Sequence, residues 1–283
     1  NTYWAMYISL IGGISNILLD YLLVLGLNEI IMPMGVKGAA YASVISQIIM
    51  TLSCIFIYLQ KTPFNFQIKL KVSPFFKEML FIFINMFIRT MVLNLVFIIS
   101  NRFANSYGNN SLAAYTIGYN IWIFSAFFID GYSNAGNALA GKYIGQKNNL
   151  KLKILGFNLL KINIRIAIIL MTIYILLYPF IGQFFNSNKI VIEFFQSFFW
   201  LVILAQPFNA IAFTFDGIFK GLGKAVDLRN TLIIGTFLFF IPSIYFLDLL
   251  LPNLISIWIA LSIWMLYRGI SLLVKFKKIT STL

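Results

Sequence analysis

The sequence predicts an all-α polytopic membrane protein with about eight transmembrane helices. Apolar residues make up 60% of the 283 residues and charged residues only 10%, whereas soluble domains carry roughly 25% charged residues. Apolar stretches of about twenty residues, the length that crosses roughly 30 Å of hydrocarbon, follow one another along the chain. Lysines and arginines gather in alternate gaps between these stretches, which is typical of loops on one side of a membrane.

Each predicted span is assigned as a helix, because it is too long for a barrel strand and lacks dyad alternation, and because an isolated spanning strand would leave its backbone unpaired in lipid. In chain order the spans cover residues 4–26, 36–59, 79–100, 112–138, 155–178, 190–215, 230–248 and 252–274. Two spans precede and six follow the stretch KTPFNFQIKLKVSP at 61–74, which reads as a cytoplasmic linker. We therefore predict three parts: residues 1–60 as the last two helices of one bundle, 61–78 as the linker, and 79–283 as a complete six-helix bundle.

The distribution of basic residues predicts the orientation. The basic gaps lie at 61–77, 142–153, 220–229 and 268–278. The alternate gaps hold little beyond Lys37, Arg102 and Lys189. Because cytoplasmic loops retain an excess of Lys and Arg, both ends of the sequence are expected in the cytoplasm. Most of the net charge of +13 comes from these cytoplasmic basic residues. Their spread over several loops argues against nucleic-acid binding.

Enzymatic function is not expected from this composition. The chain has no histidine, which removes the commonest general base and metal ligand. The single cysteine, Cys54, lies inside a predicted span and is interpreted as a packing residue, so neither a disulfide nor a cofactor is predicted. The sequence begins at Asn1 rather than Met and has no signal-peptide pattern, so we expect it to be a fragment that lacks an N-terminal portion.

Asp20 is the first candidate functional residue. A charge at mid-membrane costs at least about 2.5–3.5 kcal/mol, so an acid at this depth is a candidate functional residue. Asp20 follows Asn16 by four residues, so both share one helical face, and Ser43 reaches a similar depth on the returning helix. We predict that Asn16, Asp20 and Ser43 bind one proton or cation, with a possible Na⁺ at Asn16 and Asp20. The alternative is that Asp20 only ties the two helices together by hydrogen bonds.

Arg89 and Asp130 form the second candidate pair. Arg89 lies twelve residues after Lys77, and Asp130 twelve residues before Lys142, so both are expected about 18 Å from the inner end of adjacent antiparallel helices. We predict an ion pair that keeps Asp130 ionised until something competes for it. It is either structural or part of a proton-sensitive, substrate-lining cavity. Asn85 lies four residues before Arg89, and Asn134 and Asn137 lie four and seven residues after Asp130. Each helix thus carries a polar stripe that is predicted to face the other, and the three asparagines are possible cavity-lining positions.

Two further features are weaker signals. Asp216 precedes Lys220 by four residues near a predicted cytoplasmic helix end, where it is expected to be a solvated or capping acid. Gln206, Pro207 and Asn209 interrupt an apolar helix, and proline frees a backbone carbonyl that another group must satisfy. Gln206 and Asn209 are therefore predicted either to line a cavity at a kink or to serve helix packing.

Several runs resemble one known family. GGISNILLDYLLVLG followed by MGVKGAAYASVISQ resembles the fifth and sixth helices of multidrug and toxic compound extrusion (MATE) transporters, with Asn16 and Asp20 on the Asn and Asp of their N-lobe cation site. LAAYTIGYNIWIFSAFFIDGYSNAGNALAGKYIG resembles the eighth helix of the DinF-like branch, including Asp130-Gly131. The IRTMVLN run around Arg89, the FDGIFKGLG run at 215–223 and the YRGI run at 267–270 are similar to the same branch.

The resemblance implies a two-lobe bundle of twelve helices, of which the first four, with an essential acid on the first, would be missing here. It also implies a monomeric secondary active transporter in a bacterial inner membrane. Such an antiporter would export organic, cationic amphipathic compounds in exchange for H⁺ or Na⁺ by alternating access, with small-molecule substrates and membrane lipid as its partners. The alternative is a lipid-linked oligosaccharide flippase of the same superfamily, which should show a strongly cationic cavity, whereas Arg89 is the only deep basic residue expected from the sequence.

Overall fold

A computed structural model describes residues 3–26, 32–61 and 74–281, and no strand occurs in these ranges. The all-α fold class is therefore confirmed. Contacts divide the chain into two compact units, residues 1–72 and 73–283. Most of the predicted linker, including Lys69 and Lys71, lies outside the described residues.

The N-terminal unit is an antiparallel pair of helices, α1 (Tyr3–Val24) and α2 (Val36–Lys61). The pair packs closely where side chains are small, because a Cβ on Gly38 would lie 2.4 Å from the carbonyl oxygen of Leu23. The backbone N–H of Met34 donates to the same carbonyl at 2.9 Å. This contact fixes the start of α2 against the end of α1, one turn beyond Asp20.

The second unit contains eight further α-helices among the described residues, together with two short non-α segments. They are α3 (Phe76–Ser106), α4 (Asn109–Gly145), α5 (Asn149–Ile181), a 3₁₀ turn (Gly182–Phe184), α6 (Lys189–Leu204), α7 (Gln206–Gly221), α8 (Ala225–Ile234), a π-helical segment (Gly235–Phe240), α9 (Ile241–Leu250) and α10 (Leu254–Ser281). Across the described part of the chain, seven helical segments are long and apolar enough to span a membrane, and the bent pair α6–α7 makes an eighth. The number of spans agrees with the prediction, although the helices extend beyond the apolar stretches.

The predicted kink around Pro207 is confirmed as a break between α6 and α7. The two helices meet at Ala205 with a bend of 55°. Pro207 has no N–H to continue the helical hydrogen bonds, and the side-chain amide of Gln206 donates to the carbonyl of Val202 at 3.2 Å. A second irregularity, the π-helical segment, ends two residues before Pro242, where another helical N–H is missing.

Helix α7 packs against α4, α5 and α10 in the second unit. Its closest approach is to α4, because a Cβ on Gly217 would lie 2.7 Å from the carbonyl oxygen of Ser133, and one on Gly221 would lie 2.1 Å from that of Asn137. Glycines four residues apart let two helix backbones approach in this way. The approach places Asp216, the neighbour of Gly217, in the interior of the unit.

Candidate functional site

Asp216 is the centre of a buried ionic cluster. Nη2 of Arg89 donates to both carboxylate oxygens, at 2.8 and 2.7 Å. Nζ of Lys220 lies 3.0 Å and Nη2 of Arg268 3.6 Å from the same carboxylate. Asp216 is only 4% exposed and Arg268 2% exposed. Three positive side chains thus converge on one negative side chain. Arg89, Arg268 and Asp216 are buried, and Lys220 is partly exposed.

Three sequence predictions are corrected by this cluster. Arg89 pairs with Asp216 and not with Asp130, and Asp216 is buried rather than solvated. The predicted proximity of Lys220 to Asp216 is found. The expectation that Arg89 is the only deep basic residue is also wrong, because Arg268 lies in the same cluster, with its guanidinium 4.5 Å from the centroid of the Trp264 ring.

Asp130 is a half-buried acid beside this cluster. Within residues 3–26, 32–61 and 74–281 it has no ion pair within 4.0 Å and no hydrogen bond. It still interacts electrostatically with Lys220, Asp216, Arg268 and Arg89. Asp130 and Asp216 therefore have different environments: one carboxylate is saturated with positive partners, and the other is near those charges but without direct contact.

A buried polar contact next to these acids connects three helices. The amide nitrogen of Asn163 on α5 donates to the hydroxyl of Ser133 on α4 at 3.1 Å and to that of Thr214 on α7 at 2.7 Å. Asn163 is fully buried, and its Oδ1 has no hydrogen-bond partner in the described part of the chain. Sequence analysis missed this residue, although an asparagine in the middle of an apolar helix was a visible signal.

The polar stripe on α3 faces α7 and α8 instead of α4. Asn85 is buried, and its Oδ1 accepts a hydrogen bond of 2.6 Å from Nη1 of Arg229 on α8. On α4, Asn134 is exposed and Asn137 is half-buried. The prediction that the stripe of Asn85 and Arg89 faces that of Asn134 and Asn137 is therefore wrong, because α3 packs more extensively against α8 than against its sequence neighbour α4.

Gln206 and Asn209 are both buried at the α6–α7 break. Asn209 lines a small cavity of about 10 Å³ together with the two indole rings of Trp122 and Trp258. Neither polar atom of the Asn209 amide has a hydrogen-bond partner among the described residues. Asn209 thus borders a small void at the break, while Gln206 stabilises the break itself through its bond to Val202. A role of either residue in a transport cavity stays a prediction.

In the N-terminal unit, Asn16 and Ser43 line the same cleft between α1 and α2, which has a volume of about 190 Å³. Asp20 is half-buried one turn further along α1, and its Oδ1 has no hydrogen-bond partner within the described ranges. The predicted alternative, in which Asp20 is bonded to Asn16 and Ser43, is not observed there. No three His, Cys, Asp or Glu side chains gather at one place in the described residues.

The opposite end of the second unit carries a separate polar contact. Tyr107, just after α3, donates a hydrogen bond from its hydroxyl to Asp248 on α9 and lies 3.3 Å from the hydroxyl of Ser256 on α10. Burial and the hydrogen bond to Asp248 raise the pKa of Tyr107 to about 12. The phenol therefore remains protonated at physiological pH and holds three helix ends together.

Comparison with known proteins identifies the family. The family model MatE matches residues 86–246, which is more than half of the chain and includes Arg89, Asp130 and Asp216. The chain belongs to the MatE family. The resemblance to MATE transporters seen in the sequence is thereby confirmed.

Curated relatives of this MatE chain come from plants and bacteria. Protein DETOXIFICATION 42 of Arabidopsis thaliana is 26% identical over 93% of this chain and 50% of its own length. DNA damage-inducible protein F of Escherichia coli is 24% identical over 93% of this chain and 56% of its own length. Multidrug export protein MepA of Staphylococcus aureus is 24% identical over 78% of this chain and 49% of its own length. The chain thus spans about half the length of the curated relatives it matches.

Solved structures agree on the fold. One described as the outward-facing conformation of a multidrug resistance MATE family transporter of the MOP superfamily matches with a TM-score of 0.86, at 20% identity, over 98% of this chain and 62% of that one. A crystal structure of MATE in the bent conformation matches with a TM-score of 0.84, at 19% identity, over 99% of this chain and 62% of that one. At this identity the likeness establishes the MATE fold for the present chain.

Proposed function

We propose that the protein to which this MatE chain belongs is an antiporter that exports cationic amphipathic organic compounds in exchange for H⁺ or Na⁺. Its relatives include a protein named for multidrug export, which supports efflux as the direction of transport. We further propose alternating access between the two sides of a bacterial inner membrane, a monomeric state, and no cofactor other than the coupling ion.

The observation that carries this proposal is the contrast between Asp130 and Asp216. Asp216 is neutralised by Arg89, Lys220 and Arg268. An incoming cation would therefore have to displace positive side chains that already contact this carboxylate. Asp130 is partly exposed and lacks a direct counter-ion among the described residues. A carboxylate in this setting can exchange a proton or bind a cation without breaking the ionic cluster, and a change in its charge biases a two-state bundle.

Asp20 is the second proposed coupling acid. One of its carboxylate oxygens is buried without a hydrogen-bond partner in the described residues, so an unsatisfied acceptor is available to a coupling ion there. Asn16 and Ser43 line the adjacent cleft and offer oxygen atoms of the kind that hard cations prefer. We propose these three residues as the N-terminal part of the coupling site, with Na⁺ or H⁺ as its occupant.

The test is transport by the full-length protein in cells. Accumulation of a panel of organic cations is measured with and without a protonophore and with and without sodium, for wild type, Asp130→Asn and Asp20→Asn. We expect both variants to reach the membrane at normal levels but to lose coupled export. Glu193→Gln is the matched control, because Glu193 is an exposed acid near the start of α6, and it should export normally.

Full export by both acid variants would overturn the coupling assignment. Unchanged accumulation of every cation in cells with confirmed membrane expression would overturn the export proposal. In that case the next measurement would be a reconstituted assay of lipid-linked oligosaccharide movement, which tests the flippase alternative. The comparisons give no support to that alternative.

A further inference from the structure

The exposed face of α5 changes character along its length. In its first half this face carries the exposed side chains of Lys161 and Arg165, one helical turn apart. In its second half the same face carries exposed aliphatic side chains, among them Ile169, which is 58% exposed, and Leu176, which is 71% exposed. The opposite face of α5, which includes Asn163, is buried. A single outward-facing surface is thus basic at one end and apolar at the other.

Neither basic side chain has a counter-ion in the part of the chain that the structure describes. Other basic residues of the same unit do have partners: Lys220 pairs with Asp216 at 3.0 Å, and Lys275 with Asp227 at 3.1 Å. Lys161 and Arg165 make no such contact with any described acid. Their positive charges are therefore available to an external anion.

The apolar length of α5 places these charges at the edge of a bilayer, because its uncharged part begins at residue 166 and not at residue 155, where the predicted span begins. Residues 166–185 form a stretch of twenty residues without a charged side chain, which covers roughly 30 Å of hydrocarbon at about 1.5 Å per residue. Arg165 directly precedes this stretch, and Lys161 lies one turn closer to the basic connection between α4 and α5. Both side chains are long enough to reach the phosphate level from such positions.

We propose that Lys161 and Arg165 bind the headgroup of an anionic phospholipid, whose acyl chains lie along the aliphatic half of the same α5 face. Two cations one turn apart can contact one phosphate from both sides, and the planar guanidinium of Arg165 can donate two parallel hydrogen bonds to it. A zwitterionic headgroup would bring its own cation to the same place and so gain less. This inference does not depend on the proposed transport activity.

The test measures bound lipid rather than transport. The purified full-length protein is equilibrated in mixed micelles that contain equal amounts of phosphatidylglycerol and phosphatidylcholine, and the retained lipids are quantified by mass spectrometry. We expect wild type to retain an excess of phosphatidylglycerol. The double variant K161Q/R165Q should weaken this preference by roughly tenfold or more, since each basic residue near an anionic surface contributes about 1 kcal/mol.

The double variant K147Q/K153Q is the matched control. It removes the same number of exposed positive charges from the same end of the unit but leaves the outer face of α5 from Lys161 onward intact. The proposal requires this control to keep the wild-type preference. Equal loss in both double variants, or an undiminished preference in K161Q/R165Q with a normal melting temperature, would overturn it.

Discussion

Asp216 and Asp130 show how one residue type takes two roles in the same unit. The Asp216 carboxylate contacts Arg89 and Lys220 at hydrogen-bonding distance, so its charge is part of the packing. The Asp130 carboxylate has no such contact among the described residues and is half-buried. We therefore expect Asp216 to be needed for folding and Asp130 for coupling.

Substitution of Asp216 should destabilise the protein strongly. Asp216→Asn leaves the buried Arg89 and Arg268 close together, with the partly exposed Lys220 beside them, without a counter-charge. Removal of one partner from a buried ion pair typically costs about 3–5 kcal/mol. We expect a large fall in melting temperature and in membrane level. Thermal unfolding of the purified protein in detergent measures the first and immunoblotting the second.

Asp227→Asn is the control for this prediction. Asp227 also pairs with a lysine, Lys275, at 3.1 Å, but both side chains are about one third exposed. An ion pair in such a setting contributes about 1 kcal/mol or less, so the melting temperature should change little. Equal losses of stability in the two variants would contradict the assignment of Asp216 as a buried structural acid.

At the scale of helices, the contact between α4 and α7 positions the ionic cluster. Gly217 and Gly221 bring the α7 backbone against that of α4 near Ser133 and Asn137. This approach brings Asp216 to the depth where Arg89 and Arg268 reach it. The two glycines are therefore expected to matter for their lack of a side chain, since neither has a positive φ.

Gly221→Ala should push α7 away from α4. The new Cβ would lie 2.1 Å from the carbonyl oxygen of Asn137, a backbone atom that can move only with its helix, and overpacking of this kind costs about 1–3 kcal/mol. We expect a lower melting temperature. Gly145→Ala is the control, because a Cβ on this α4 glycine would have no neighbouring atom within 4 Å among the described residues; a comparable loss there would show that glycines in these helices matter for another reason.

Substitution of Asn209 tests the role of the α6–α7 break. Its buried amide has no hydrogen-bond partner in the described residues, and a polar group in this state is unfavourable for stability. Asn209→Leu should therefore leave the melting temperature unchanged or raise it, while coupled export should fall because the cavity at the break loses a polar side chain. A drop in melting temperature with normal export per molecule would contradict both parts of this expectation.

The sequence was sufficient for features that depend on one helix at a time. The spans follow from apolar length, and the break between α6 and α7 follows from the missing N–H of Pro207. The partner of Arg89 was not predictable in this way, because depth along α3 does not say which helix lies opposite. The structure places α8 and the interior α7 there, and Arg268 joins the cluster from a helix about fifty residues further along the chain than Asp216.

At the scale of the whole molecule, the basic residues still predict the orientation. The end of α4, its short connection to α5 and the start of α5 together carry four lysines, Lys142, Lys147, Lys151 and Lys153, whereas the region between α5 and α6 has only Lys189, at the start of α6. These two connections lie at opposite ends of α5, a helix of 33 residues. Since cytoplasmic loops retain Lys and Arg, the first connection should be inside the cell and the second outside.

Cysteine labelling in intact cells tests this orientation. In a Cys54→Ala background, Gln146→Cys and Ser187→Cys place one thiol at an exposed position in each connection. A membrane-impermeant maleimide should label the Ser187→Cys protein in intact cells, and the Gln146→Cys protein only after permeabilisation. The reverse pattern would place the lysine-rich end outside. It would then also move the proposed site at Lys161 and Arg165 to the outer leaflet, because both residues lie on the Gln146 side of the apolar stretch of α5.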